Sequence, residues 1–299
     1  MHVREFLGQD CVELGNRSLT LLVTRSVGPR IIALYTSEGE NIFAEVPDFT
    51  LDCPGRGLFH LYGGHRLWIA PEEPGRTYLP DDDPVHVEQI EGGLEVIQPY
   101  NELTGMKKTL RIRLEGDQPV VVVEHELTNM STSSITCAPW AITQVKPGGT
   151  AFLPQKTDLT NKNPSLPNRK LILWPYTDIN NPAINWGNEA ISVHANMQKG
   201  ALKIGFPNTR GWLAYWCDGV LFVKEAEYDP DADYFDNDSS SECFCRSEFL
   251  ELETLGPVSS VKPGGSISHF ETWHLFSGIP RPEKMETLID WIEEVTSGS

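Results

Sequence analysis

Short runs of β-branched and apolar residues, each closed by a turn signal, recur along most of the chain and favour a sheet protein. SLTLLVT (18–24), RIIALY (30–35), VHVEQI (85–90), GLEVIQPY (93–100), KKTLRIRL (107–114) and VVVVEHELTN (120–129) are bounded by Gly-Pro, Gly-Gly and Gly-Asp-Gln-Pro. KLILW (170–174), ALKIGF (201–206), EFLELETL (248–255) and SISHFETWHLF (266–276) continue the series. Inside WLAYWCDGVLFVKEAEY (212–228), Asp218-Gly219 is the signature of a type I′ hairpin. Helical spacing stands out at one place. After Pro280 and Pro282, residues Met285, Leu288, Ile289, Ile292 and Val295 share a face, which predicts a C-terminal helix over 282–296. The expected fold is all-β, a large antiparallel β-sandwich with that short helix as a cap. It is read as one domain over 1–299 with its core at about 11–278.

With 299 residues and 39 % hydrophobic content, the chain has enough apolar side chains for a large core. Its net charge of −18 argues against nucleic acid and anionic membrane surfaces, because both need clustered Lys and Arg. A small neutral ligand or a cationic partner is compatible with that charge. No apolar run reaches the length of a membrane span, and the opening MHVREFLGQD lacks a signal-peptide core, so a cytoplasmic protein is expected. The cysteines at 11, 53, 137, 217, 243 and 245 are read as reduced, partly buried thiols; Cys243-Phe-Cys245 is not a zinc spacing.

Two stretches read as loops. Residues 154–188 are rich in Pro and Asn, with Trp174, Tyr176 and Trp186 among them. Residues 229–242, DPDADYFDNDSSSE, alternate aspartates in the manner of a calcium loop. Tyr234 stands where that motif needs glycine and Ser240 where it needs glutamate, so a solvated acidic loop is expected, with a weak calcium site at Asp229–Asp233 as the alternative.

The chemistry concentrates in two places. In LYGGHRLWIAPE (61–72), Gly63-Gly64 permits a sharp turn or a close backbone approach, followed by His65, Arg66 and Trp68. If this segment is extended, His65 and Leu67 face one way and Arg66 and Trp68 the other, unless a bulge re-aims one of them. An aromatic face beside fixed polar groups suits a sugar; the other reading is a glycine bulge with a structural histidine and a core tryptophan. In the late strand, Glu251 and Glu253 share a face, and adjacent carboxylates raise each other's pKa, which suits a general base. Solvent-facing charges on a half-exposed sheet are the alternative. His125, in a row with Val121, Val123 and Leu127, reads as a core residue. Phosphate-binding, dinucleotide, serine-hydrolase and zinc-protease motifs are absent from the sequence.

Taken in order, GPRIIAL (28–34), GGHRLW, VEHELTNMSTS (123–133), APWAITQ (138–144), FLELETLGP and VKPGGSISHFETWHLF resemble the galactose mutarotase-like superfamily of β-supersandwich proteins, which includes the aldose 1-epimerases. The likeness spans about residues 11–278. It implies Glu251 in the position of the catalytic base and Arg30 as a binder of sugar hydroxyls. It sets Tyr62 in the place of a substrate-contacting histidine, with His65 just after the glycine pair. The epimerase histidine that protonates the ring oxygen has no counterpart, because Ala138-Pro139-Trp140-Ala141-Ile142 occupies that segment. The resulting expectation is an epimerase-like acid–base catalyst with His65 and Glu251 as acid and base. Arg30, Tyr62, Arg66 and Glu253 bind hydroxyls in this reading, and Trp68 and Trp140 form a stacking platform. The alternative is a carbohydrate-binding protein that kept the cleft and lost the acid. The partner is a sugar or sugar-like small molecule, and neither a metal nor another cofactor is called for.

Overall fold

The computed structural model describes residues 2–157, 165–282 and 285–296, excluding the side chains of 285 and 286. Residues 158–164 of the 154–188 loop and the first residues of the C-terminal helix expectation, with the Met285 side chain, therefore lie outside the described residues. Among the described residues, the strands form a 12-stranded and a 10-stranded sheet, with every strand pairing antiparallel. The mutual burial of the two inner faces is the sandwich that the alternating runs predict. Phe43, Phe222 and Trp273 pack edge to face at its centre, with ring centroids 5.8–6.0 Å apart.

In the larger sheet, the strands Arg30–Thr36, Gly57–Ala70, Ile135–Val145, Leu250–Leu255, Ser241–Arg246 and Ala201–Phe206 lie side by side in that order. Glu45–Cys53 pairs with the first part of Gly57–Ala70. The smaller sheet places Val220–Glu225, Ser266–Phe276 and Val120–Asn129 side by side. The helix Met285–Thr296 packs Leu288, Ile289 and Ile292 against Trp212 and Val223 on the smaller sheet, so its apolar stripe caps the sandwich. Asp218 and Gly219 both take positive φ, 49° and 84°, as the hairpin signature requires.

The acidic tract differs from the expected solvated loop. Tyr234, Ser239 and Ser240 are buried, and Ser241 and Glu242 already belong to a strand. Asp229, Asp231 and Asp233 do not bring ligand atoms together, since the group of potential metal ligands among the described residues lies elsewhere.

Gly63 and Gly64 earn their place through close backbone approach. Their φ angles are +103° and +71°, and a Cβ would meet Ala44 O at 1.9 Å and Ile31 O at 2.2 Å respectively. Gly64→Ala is therefore expected to cost at least about 1–3 kcal/mol from left-handed strain alone, with the carbonyl clash added. A melting temperature equal to that of the wild type would contradict this.

Candidate functional site

Strand register decides which side chains meet. Gly64, Gln144, Glu251, Phe244 and Lys203 are successive partners across the larger sheet and so point to one side. The row two residues along carries Arg30, Arg66, Ile142, Glu253 and Glu242 on that same side. Trp68 opposite Trp140 extends it. The intervening row, Ile31, His65, Thr143, Leu252 and Cys243, faces the smaller sheet. The pairing runs without a shift from Gly64 to Ala70, so no bulge re-aims His65. His65 and Glu251 are consequently on opposite faces of the sheet. The expected acid–base pair across one hollow is corrected by this parity.

The outer face carries a cavity of about 160 Å³. Trp68, Trp140, Tyr78 and Tyr176 contribute aromatic walls, together with Phe49 and Phe249, while Arg66, Glu72, Lys203, Arg246 and Glu251 supply charge. The volume corresponds to roughly five waters at ~30 Å³ each, the scale of one small polyol. Trp68 stands edge-on to Trp140 at 5.3 Å and to Tyr78 at 5.4 Å, which fixes the wall. The Tyr78 hydroxyl donates to Glu72 at the rim.

Glu251 is 8 % exposed. Its Oε1 accepts from Arg66 Nη2 at 2.8 Å and Gln144 Nε2 at 2.9 Å, whereas Oε2 has no hydrogen-bond partner among the described residues; the side chain lines the cavity. Burial lifts its pKa above the usual carboxylate value; Arg66 opposes the shift and Glu253 adds to it. Arg66 is 2 % exposed, and its guanidinium lies 4.4 Å over the Trp68 ring. Arg66 Nε and Nη1 and Gln144 Oε1 find no hydrogen-bond partner among the described residues. Buried orphans cost about 1–3 kcal/mol each, so each calls for an explanation, a bound water or ligand among them.

Glu253 sits beneath the cavity and is fully buried. Its Oε2 accepts from Trp140 Nε1 at 2.8 Å and Lys203 Nζ at 2.9 Å. Lys203 also meets Glu242 at 2.6 Å and lies between the Trp140 and Trp174 rings, 4.8 and 4.7 Å from their centroids. Burial alone would lower its pKa, but Glu242 and Glu253 hold it well above the ordinary value, so Lys203 is a fixed cation. Burial pushes Glu242 well above the carboxylate range despite Lys203. Lys203 and Glu242 escape sequence reasoning: one is a single cation in ALKIGF, the other part of a tract read as a loop. A charge in an otherwise apolar strand was the available signal for Lys203.

Two other expected residues lie away from the cavity. Arg30 is fully buried; its Nη2 donates to both oxygens of Asp81 at 2.9 Å and to the His60 carbonyl, and its Nη1 donates to the Leu61 carbonyl. Tyr62 directs its hydroxyl to Asp82 at 3.2 Å. Neither lines the cavity, so their role as binders of sugar hydroxyls is corrected: Arg30 ties the strand start to the 81–82 loop, and Tyr62 packs beside it. Arg66, Trp68, Trp140 and Glu251 are brought together in its lining; Glu253 is fully buried outside that lining and holds Trp140 and Lys203, so its expected contact with sugar hydroxyls is corrected as well.

Between the sheets, His65 belongs to a polar network. His125 Nδ1 faces the His269 carbonyl at 3.0 Å and must carry the proton. His125 Nε2 then accepts from His65 Nε2 at 2.7 Å, and His65 Nδ1 accepts from Thr143 Oγ1 at 2.9 Å. Every imidazole nitrogen in this pair is satisfied with both rings neutral, and burial lowers both pKa values. His65, His125 and Glu271 place potential ligand atoms within 4.8 Å of one another, a spacing a metal could use. Lys224 Nζ already lies 2.9 Å from Glu271, so the resident cation is an ammonium, and a divalent ion would add its charge beside it. The residues therefore fit a proton-satisfied network better than a metal centre.

No protein-family model matches the sequence, and no curated protein matches it. Solved structures do. A TPR-domain containing protein from Parabacteroides distasonis superimposes with a TM-score of 0.63 at 12 % identity, over 92 % of this chain; the chain spans 48 % of that protein. A galactose mutarotase-like protein from Lactobacillus casei gives 0.59 at 11 % identity, covering 89 % of this chain and 100 % of the other. A galactose mutarotase related enzyme from Lactobacillus acidophilus gives 0.50 at 10 % identity, covering 92 % and 100 %. The two packed antiparallel sheets and the full-length superpositions together identify the architecture: the chain has the galactose mutarotase-like fold.

Proposed function

We propose that the cavity on the outer face of the larger sheet binds a single sugar ring and interconverts its anomers by acid–base chemistry, with Glu251 as the base. The observation that carries this reading is the state of Glu251. One oxygen is clamped by Arg66 and Gln144, the other has no partner among the described residues, and burial raises the carboxyl above its ordinary value, which makes it a stronger base. In the forward step Glu251 Oε2 takes the proton of the anomeric hydroxyl and the C1–O bond becomes a carbonyl. The ring C1–O5 bond breaks and its electron pair moves to O5. Lys203, a cation held by Glu242 and Glu253, supplies the positive charge that stabilises this oxygen, as preorganised donors do for developing oxyanions. Rotation about the opened chain and reversal of the steps gives the other anomer. Trp68 and Trp140 offer an apolar wall for sugar C–H groups, while Arg66 anchors the polar edge.

The mutarotase-like fold of proteins such as the one from Lactobacillus casei supports a carbohydrate reading. The test is proton exchange spectroscopy on a panel of free aldoses, with the wild-type protein present and absent. Faster transfer of magnetisation between the α and β anomeric signals is expected for at least one sugar. Ligand-induced stabilisation without faster exchange would instead establish a binding protein, and no response from any sugar would overturn the proposal.

A further inference from the structure

The polar network between the sheets ends in a contact that the proposed chemistry does not use. Lys224 comes from the smaller sheet, is fully buried, and reaches the reverse side of the larger one. Its Nζ donates to Leu252 O at 3.0 Å, Ala141 O at 3.1 Å and Thr143 Oγ1 at 3.1 Å, and lies 2.9 Å from Glu271 Oε1. Leu252 and Thr143 are register partners, flanked on one side by Gln144 opposite Glu251 and on the other by Ile142 opposite Glu253. The ammonium thus grips the backbone of both strands directly behind the residues that form the cavity floor.

We propose that Lys224 is a positioning residue for the Glu251 site, its ammonium fixing from behind the strand pair that carries Gln144, Glu251 and Glu253. The inference rests on Glu251 being the proton acceptor, and it makes two claims. The first is geometric: carbonyls of both strands share one cation, so the two strands cannot slide or part without losing it. A rigid floor matters because small misplacements of a base cost large factors in rate. The second is electrostatic. Burial lowers the Lys224 pKa and Glu271 opposes that most strongly; Glu253 and Glu251 also favour the ammonium, so its charge in turn favours their ionised forms. It acts alongside Arg66 and Gln144, which bond Glu251 directly, and alongside Lys203, while Glu253 acts in the opposite sense. On its own side Lys224 faces Glu271, with His125, His65 and His269 around that carboxylate. Burial alone would raise the Glu271 carboxyl, but the Lys224 ammonium holds it below the usual range.

The test compares the full-length wild type with K224M and with K224M/E271Q. Methionine keeps the linear shape without the charge, and the double variant also removes the carboxylate that K224M would strand in the core. Carbon-13 NMR of glutamate-labelled protein follows the Glu251 carboxyl, assigned by its loss in E251Q, across pH. The double variant removes an ion pair whose positive end lies against the Glu251 strands, so in the folded variant the Glu251 midpoint is expected to move up, by at most about half a unit or roughly threefold in proton affinity. The acid limb of anomer exchange moves with it, and kcat falls more than KM changes. A folded K224M/E271Q with an unchanged Glu251 midpoint and unchanged kcat and KM would overturn the proposal and leave Lys224 as packing only. If the wild type acts on no sugar, the proposed function fails, while the carboxyl titration still decides for or against Lys224.

Discussion

Glu251→Gln is expected to lower anomer exchange by roughly two to four powers of ten while leaving the dissociation constant for the sugar within a few-fold of the wild type. The amide oxygen of glutamine still accepts from Arg66 and Gln144, so the floor of the cavity keeps its shape. What disappears is the carboxylate oxygen proposed to take the proton. Because Arg66 loses a neutralising carboxylate, the melting temperature should fall by a few degrees, an effect separable from turnover by working well below the transition. Exchange kinetics and calorimetric titration on the same sugar check both parts. Undiminished exchange in the variant would remove Glu251 from the mechanism, and an equal loss of binding and turnover would make it a ligand-holding residue only.

The second large effect is on stability against pH. Burial keeps His65, His125 and His269 neutral in the fold, with His269 pushed down to about 3. In the unfolded chain the same rings protonate near 6.5. Between those limits the unfolded state binds more protons, so stability falls as pH falls, by up to about 1.4 kcal/mol per unit for each ring. Glu242 and Glu251 act the other way. Their folded pKa values are raised, so the folded state holds protons there above the ordinary carboxylate value, and their contribution is lost as pH rises. The wild type is therefore expected to lose stability below pH 6.5 with a slope that these two carboxyls partly offset. Glu242→Gln removes one offset, so its stability relative to the wild type should climb as pH increases, and its own acid-side loss should be steeper. Urea midpoints from pH 4.5 to 8.5 for both proteins measure this. Parallel curves would show that Glu242 does not hold a proton in the fold.

The sequence by itself settled the class of fold, because alternation of apolar and polar residues is a local property and a two-residue period can serve only a strand. It also placed the Asp218-Gly219 hairpin, the C-terminal helix and the alternation of 65–68, with His65 and Arg66 pointing opposite ways. Gly57–Ala70 and Ile135–Val145 were not legible as long strands, since glycine and proline interrupt them and only pairing with neighbours holds them extended. The tertiary structure decided which of the two faces is covered. Leu67 stands beside His65 and Trp68 beside Arg66, so neither set reads as more apolar, and the choice depends on what the smaller sheet presents. It presents His125, which accepts from His65, and Lys224, which donates to the Thr143 hydroxyl bonded to the other ring nitrogen, and so His65 turns inward while Arg66, Glu251 and the indoles are left to form the cavity. Arg30 was decided in the same way, by Asp81 arriving from a distant loop. Parity is written in consecutive residues; the partner of each face comes from segments far away in the chain, and no local pattern carries it.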